Sequence, residues 1–186
     1  MKLIIRTLLA GLAIFAWGFI SWGVLSWHYP REVANDAALA EAIKSSITEP
    51  GVYMVPSKMK TDGTRRSDEG CMKAMTDGPF MLAMIRPGAS TRPMASMYVG
   101  GIVVALVQAA LIAFILGHAR LGYGGSIQLS AYIGLFAGLA YWLPTWNWFE
   151  YPVSYWLPYI ADYVVQGILA AVILGRTVCR VEKPTA

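Results

Sequence analysis

Four polar side chains recur on one face of an apolar stretch near the C-terminal end of the chain. Tyr155, Tyr159, Asp162 and Gln166 are separated by four, three and four residues, which is the spacing of side chains that share a face of an α-helix. A carboxylate inside a membrane-spanning helix is costly and marks either a functional site or a specific pairing. Asp162 is therefore the centre of the predicted site.

Asp162 has a structural and a functional interpretation. If its helix begins after Pro152, Asp162 lies about 13 Å into it. If Pro158 is the first helical residue, Asp162 lies in the first turn, where the helix dipole favours an anion. Candidate partners on other segments are Gln108, Gln128, Tyr132, Trp22 and His28. The functional interpretation predicts that Asp162→Asn abolishes activity but leaves expression and membrane insertion intact.

Trp and Tyr are concentrated around one carboxylate, Glu150, in the stretch YWLPTWNWFEYP at residues 141–152. Such rings favour the boundary between lipid and water. All seven tryptophans fall toward one side of the spans described below, and Arg and Lys occupy the other side. The pattern predicts an anchoring belt, and the alternative is an aromatic pocket for a lipid-like, quinone-like or other apolar ligand. The predicted polar cluster comprises Asp162, Gln166, Tyr155, Tyr159, Trp22, His28 and Glu150.

The composition is that of a membrane protein. Of the 186 residues, 56% are hydrophobic and only 14% are charged, whereas a typical soluble domain has roughly a quarter charged residues. Four apolar stretches, at residues 3–26, 97–117, 127–143 and 153–175, are long enough to span a bilayer. Each should be a helix, because the bilayer core leaves the backbone to satisfy its own hydrogen bonds. The first is interpreted as an uncleaved signal-anchor.

Basic residues predict the orientation of these spans. Lys2, Arg6, Arg120, Arg176, Arg180 and Lys183 all flank the same side, which the positive-inside rule assigns to the cytoplasm. We therefore predict a protein of the cytoplasmic membrane with both termini in the cytoplasm, including the tail at residues 176–186. Pro144 is predicted to end the third span, so that residues 144–152 form an outer aromatic loop. The net charge of +4 reflects these flanking residues, and no nucleic-acid partner is predicted.

The segment at residues 28–96 is predicted to form a small extracytoplasmic cap. It contains a helix at about 35–47, with Asn35 or Asp36 as N-cap, and strands at about 51–57 and 79–87. The polar residues at 57–70 are predicted to form a loop. One helix and two strands bury too little apolar surface to be stable alone, so the cap should lie against the membrane or a partner.

Small residues predict tight packing of the helices, since close contact replaces the hydrophobic effect inside lipid. They are Gly101, Ala105, Ala109, Ala113 and Gly117 in the second span, Gly134 and Gly138 in the third, and Gly167, Ala171 and Gly175 in the fourth. The second span's stripe is expected to meet the same chain, with a second copy as the alternative.

Several enzyme classes are not supported by the sequence. Cys71 and Cys179 are predicted on opposite sides of the membrane, so the cysteine pair of thiol–quinone oxidoreductases is missing. His28 and His118 are likewise separated, and HExxH, CxxC, GxSxG and phosphate-loop motifs do not occur. We predict neither a cofactor nor a metal.

The predicted fold is an all-α membrane protein, a bundle of four transmembrane helices with a small α+β cap between the first two. The predicted function is that of a non-enzymatic accessory, scaffold or assembly subunit. Its partners would be membrane lipids and either another protein or a second copy of the chain. The alternative is a small carrier or sensor that binds an apolar or cationic ligand near Asp162 and the tryptophans.

Overall fold

The computed structural model describes residues 1–60 and 62–178; most of the predicted tail at 176–186 lies outside them. Six α-helices occur in the described residues: α1 (Lys2–Gly23), α2 (Asp36–Ser46), α3 (Asp68–Asp77), α4 (Met94–Ala119), α5 (Tyr123–Phe149) and α6 (Val153–Val178). The strands are β1 (Gly51–Val55) and β2 (Met81–Ile85), and a short 3₁₀ turn covers Ser26–His28. Helices α1, α4, α5 and α6 are long and apolar enough to cross a membrane. The prediction of four such helices and a two-stranded sheet is confirmed.

Helix α5 does not end at Pro144 as the sequence suggested. It continues to Phe149 and ends at Glu150, which adopts a left-handed conformation with φ of 55°. Most of the predicted loop at 144–152 is therefore helical. Proline removes only one helical hydrogen bond, and packing against neighbouring helices can offset that loss. Trp142, two residues earlier, is buried against α6 in a cluster that includes Trp156.

Pro158 also lies inside a helix rather than at its start. Helix α6 begins at Val153 and runs through Pro158 without interruption. Asp162 therefore follows nine residues of helix, about 13 Å from its start. This position excludes the interpretation in which the first-turn dipole stabilises Asp162.

Helix α6 packs against α1, α4 and α5 and forms the centre of the bundle. Its approach to α5 is close, because glycines replace side chains on both sides. A Cβ atom on Gly134 would overlap the backbone carbonyl of Tyr163, and a Cβ atom on Gly167 would overlap that of Ser130. These two helices thus meet backbone to backbone.

The small-residue stripe of α4 faces helices of the same chain. Ala105, Ala109 and Ala113 are buried. At the ends of the stripe, a Cβ atom on Gly101 would lie 3.1 Å from the Phe15 ring of α1, and one on Gly117 would lie 3.7 Å from Val178 of α6. The stripe therefore seats α4 against α1 and α6.

Residues 31–91 form a separate compact unit. Strands β1 and β2 pair antiparallel, with Gly51 opposite Ile85. Asn35 caps α2 by accepting a hydrogen bond from the Ala38 amide at 3.1 Å. Helix α3 was not predicted, although Ser67 caps it in the same way and acidic residues follow in its first turn, which is a typical helix-start pattern.

Candidate functional site

Asp162 lies where α1, the 3₁₀ turn and α6 meet, and only 4% of its surface is exposed. The Trp17 indole Nε1 donates a hydrogen bond to Asp162 Oδ1 at 2.9 Å. The Ser21 hydroxyl donates to the same oxygen at 2.7 Å. His28 Nε2 lies 3.0 Å from the other oxygen, Oδ2. Both oxygens of this carboxylate are therefore satisfied within the chain.

The local sequence explains how these donors converge. Trp17 and Ser21 are four residues apart on α1 and so share one face of that helix. The chain leaves α1 after Gly23 and turns through Ser26–His28, which brings His28 back to the same carboxylate. Trp27 holds this turn in place, because its indole N–H donates to the carbonyl and hydroxyl oxygens of Ser21 at 3.1 and 3.0 Å.

The hydrogen bonds define the tautomer of His28. An ionised carboxylate only accepts hydrogen bonds, so His28 Nε2 is the donor in its contact with Asp162 Oδ2. His28 Nε2 also lies 3.0 Å from the Ser21 hydroxyl. The other ring nitrogen, Nδ1, is buried and has no hydrogen-bond partner among the described residues.

Aromatic rings cover His28. Trp22 stacks on the imidazole with ring centroids 4.2 Å apart and an interplanar angle of 3°. Tyr159 and Trp27 meet it edge-on at 4.8 and 5.8 Å. These rings bury the histidine and complete the predicted grouping of Asp162 with Trp22, His28 and Tyr159.

The remaining members of the predicted cluster lie elsewhere. The Tyr155 hydroxyl accepts a hydrogen bond from the Tyr159 hydroxyl at 3.3 Å and makes no hydrogen bond to Asp162. Gln166 is one turn beyond Asp162 on α6 and makes no hydrogen bond to it. Glu150 is exposed in the turn between α5 and α6.

A second aromatic cluster joins α5 to α6 near that turn. Trp142 is buried, and its ring centroid lies 4.7 Å from that of Tyr159 and 5.7 Å from that of Tyr155. Tyr151, in the turn itself, packs on Trp142 at 6.2 Å, and burial raises the pKa of its phenol. The rings predicted to form a belt thus also pack α5 against α6.

Ser21, His28 and Asp162 do not have the geometry of a nucleophilic triad. In such a triad the carboxylate binds Nδ1 and the serine faces Nε2. Here the serine and the carboxylate both face Nε2, and the serine donates its proton directly to Asp162. Ser21 is fully buried, so no substrate can reach its hydroxyl. The arrangement fixes a carboxylate and does not present a nucleophile.

Trp17, Ser21 and Trp27 are members of the site that the sequence interpretation missed. The sequence signal for Trp17 and Ser21 was that two side-chain donors stand four residues apart on α1. The interpretation of the tryptophans as a membrane belt did not use this spacing. No group of three or more potential metal ligands occurs among the described residues.

The fold and the site define an α-helical protein with four candidate membrane spans and a buried carboxylate that ties α1 to α6. Comparison with protein-family models, curated proteins and solved structures finds no match to this chain.

Removing one donor tests the strength of this network. Trp17→Phe deletes the indole N–H but keeps most of the ring, leaving Asp162 Oδ1 with one bond fewer. We expect the free energy of unfolding in detergent to fall by about 1–3 kcal/mol, because the acceptor is buried. Trp148→Phe is the control, since Trp148 is 74% exposed and should be replaced at little cost. Equal effects of the two replacements would contradict this role for Trp17.

Proposed function

We propose that the protein is an accessory or assembly subunit of the cytoplasmic membrane, with both termini in the cytoplasm and residues 28–96 outside. The observation that carries the proposal is the state of the unit at residues 31–91. None of its described residues is buried. A folded unit of this size normally encloses an apolar core, so this one is complete only when a partner covers it.

Apolar side chains of the sheet support this role. Val52 and Met84 face each other across the two strands and are 68% and 85% exposed. Met72 of α3 is 65% exposed. Two strands alone are at best marginally stable in water, and methionine is enriched where proteins bind one another. These side chains are the proposed contact surface.

The charge of the cap favours a protein partner over a lipid surface. Residues 28–96 contain nine Lys or Arg and eight Asp or Glu, so the cap is nearly neutral. Segments that bind anionic lipid are rich in basic residues. A partner protein with an apolar patch suits this surface better.

The hydrogen bonds around Asp162 support a structural role for the bundle. Among the described residues, every hydrogen-bond donor to Asp162 lies on α1 or in the turn that follows it. This network fastens the end of α1 to α6, at the point where the chain enters the cap.

Photo-crosslinking from the cap tests the proposal. A benzophenone amino acid at Met84 should yield one discrete adduct in membranes, with a protein that also co-purifies stoichiometrically in mild detergent. The same probe at Asp68, whose side chain is 89% exposed, serves as the control in the same unit. Adducts of equal yield from both positions, or none from Met84, would refute the proposed contact surface.

A carrier or sensor of a small apolar molecule is the second candidate. It is favoured by a cavity of about 460 Å³ beside α1 and α4, which is within the size range of small-molecule sites.

A further inference from the structure

Two cavities lie among the long helices, and Asp162 lines neither of them. The larger, of about 460 Å³, is lined by residues of α1 and α4 together with Gln166 of α6. The smaller, of about 270 Å³, lies among α4, α5 and α6. Ile14, Gln108 and Gln166 line both. The two cavities therefore share a wall that contains two side-chain amides.

These amides lack hydrogen-bond partners. Gln108 follows Met94 by fourteen residues and Gln166 follows Val153 by thirteen, so each lies about 20 Å into its helix. Among the described residues, neither amide makes a hydrogen bond to the protein. At this depth in a membrane, lipid tails offer no partner, and an unsatisfied amide is unfavourable. Gln128 differs, because it is exposed and donates to the Tyr132 hydroxyl at 3.1 Å.

The cavity lining indicates the charge of its ligand. None of the residues that line the larger cavity is charged. Asp162 does not line the cavity, and its oxygens already accept bonds from α1 and the 3₁₀ turn. A cation would find no counter-ion here, so a neutral ligand is favoured.

The larger cavity is open at its side. Phe19 and Val104, on the two helices that border it, are 59% and 58% exposed. If these helices span a membrane, this side faces lipid tails. A ligand can then enter from the bilayer without crossing water.

We propose that this cavity binds a neutral, membrane-soluble molecule with an apolar body and a carbonyl group. The body lies against the α1 and α4 side chains, and the carbonyl oxygen accepts a hydrogen bond from the amide of Gln108 or Gln166. Lipid esters and quinones both carry this chemistry. The inference concerns a different surface from the cap and does not depend on the partner proposed for it.

A pair of photoreactive probes tests the inference on the full-length protein in lipid nanodiscs. One is a long-chain fatty acid methyl ester that carries a diazirine, and the other is the matching hydrocarbon without a carbonyl. We expect the ester to label the cavity residues of α1 and α4, mapped by peptide mass spectrometry, with a clear excess over the hydrocarbon. Displacement by the unlabelled methyl ester but not by a short-chain benzoquinone indicates a lipid ester. Displacement by the benzoquinone indicates a quinone. If neither competitor displaces the label, the inference is wrong.

Matched variants separate binding in the cavity from general lipid contact. The double replacement Gln108→Leu and Gln166→Leu should weaken competition by the ester about tenfold, as expected for a lost hydrogen bond in a dry site, whereas Gln128→Leu should not. Val104→Trp should block the opening and remove labelling, whereas Val107→Trp, at a position 54% exposed and outside the lining, should not. Thermal unfolding in detergent verifies that each variant is folded. Equal labelling by both probes, or equal effects of cavity and control variants, would overturn the inference.

Discussion

Asp162→Ala should lower the free energy of unfolding by about 3–5 kcal/mol, the largest effect we expect from any polar side chain of the bundle. The replacement leaves the half-buried Trp17 indole, the buried Ser21 hydroxyl and the buried His28 Nε2 without their acceptor. Each donor loses its native partner, and Ser21 and His28 are too deeply buried to bond to water instead. Because all of them belong to α1 and the 3₁₀ turn, the contact between α1 and α6 should weaken first.

Denaturant unfolding in detergent, combined with a cysteine crosslink between α1 and α6, measures this effect. Asp162→Asn should cost much less, about 1–2 kcal/mol. Its carbonyl can still accept from Trp17 and Ser21, and its amide can donate to Nε2 once His28 carries its proton on Nδ1. Glu150→Gln is the control for removing an exposed carboxylate. If Asp162→Asn destabilises as much as Asp162→Ala, the network requires the negative charge and not only the hydrogen bonds.

Gly134→Ala should also destabilise the bundle, by about 3 kcal/mol, because the added methyl group has no space. Its Cβ atom would overlap the Tyr163 carbonyl, a backbone atom that cannot rotate away. Helices α5 and α6 must then separate along their closest contact. Gly167→Ala should act in the same way through the Ser130 carbonyl. The double variant should cost less than the sum, since helices already separated leave room for the second methyl group.

Unfolding in detergent followed by circular dichroism, together with a distance measured between labels on α5 and α6, tests this prediction. Gly124→Ala is the matched control on α5, because a Cβ atom there meets nothing within 4 Å. It should be neutral or slightly stabilising, as alanine favours helix over glycine. A similar loss of stability at Gly124 and Gly134 would show that helix propensity, and not the close contact, decides the outcome.

Local features of the sequence were enough to locate the four long helices and to place a helix cap at Asn35 or Asp36, of which Asn35 is the cap in the structure. Both depend on residues within one segment: the apolar length of a span, and a side chain that bonds three residues ahead. Local signals misjudged Pro144, which was expected to end the third span, and left open whether the fourth helix begins after Pro152 or at Pro158. In each case the packing of α6 against its neighbours outweighs one missing backbone hydrogen bond.

The site was predicted only in part. Asp162, His28 and Trp22 were identified because a carboxylate, an imidazole and a large ring stand out in apolar surroundings. Trp17 and Ser21 were missed because they become partners of Asp162 only across a sequence separation of 145 and 141 residues. Gln166 was placed with Asp162 by their shared helical face, yet it lies on the cavity beside Gln108. Helical spacing identifies a common face, but not what that face meets.

The apolar length of each segment was sufficient to predict the long helices, since a helix satisfies its backbone hydrogen bonds within its own residues. How those helices are rotated and shifted against one another became visible only in their packing. That rotation gives Asp162 its donors from α1 and leaves Gln108 and Gln166 facing a cavity. Both outcomes depend on contacts between distant segments, and the periodicity of a single segment does not encode such contacts.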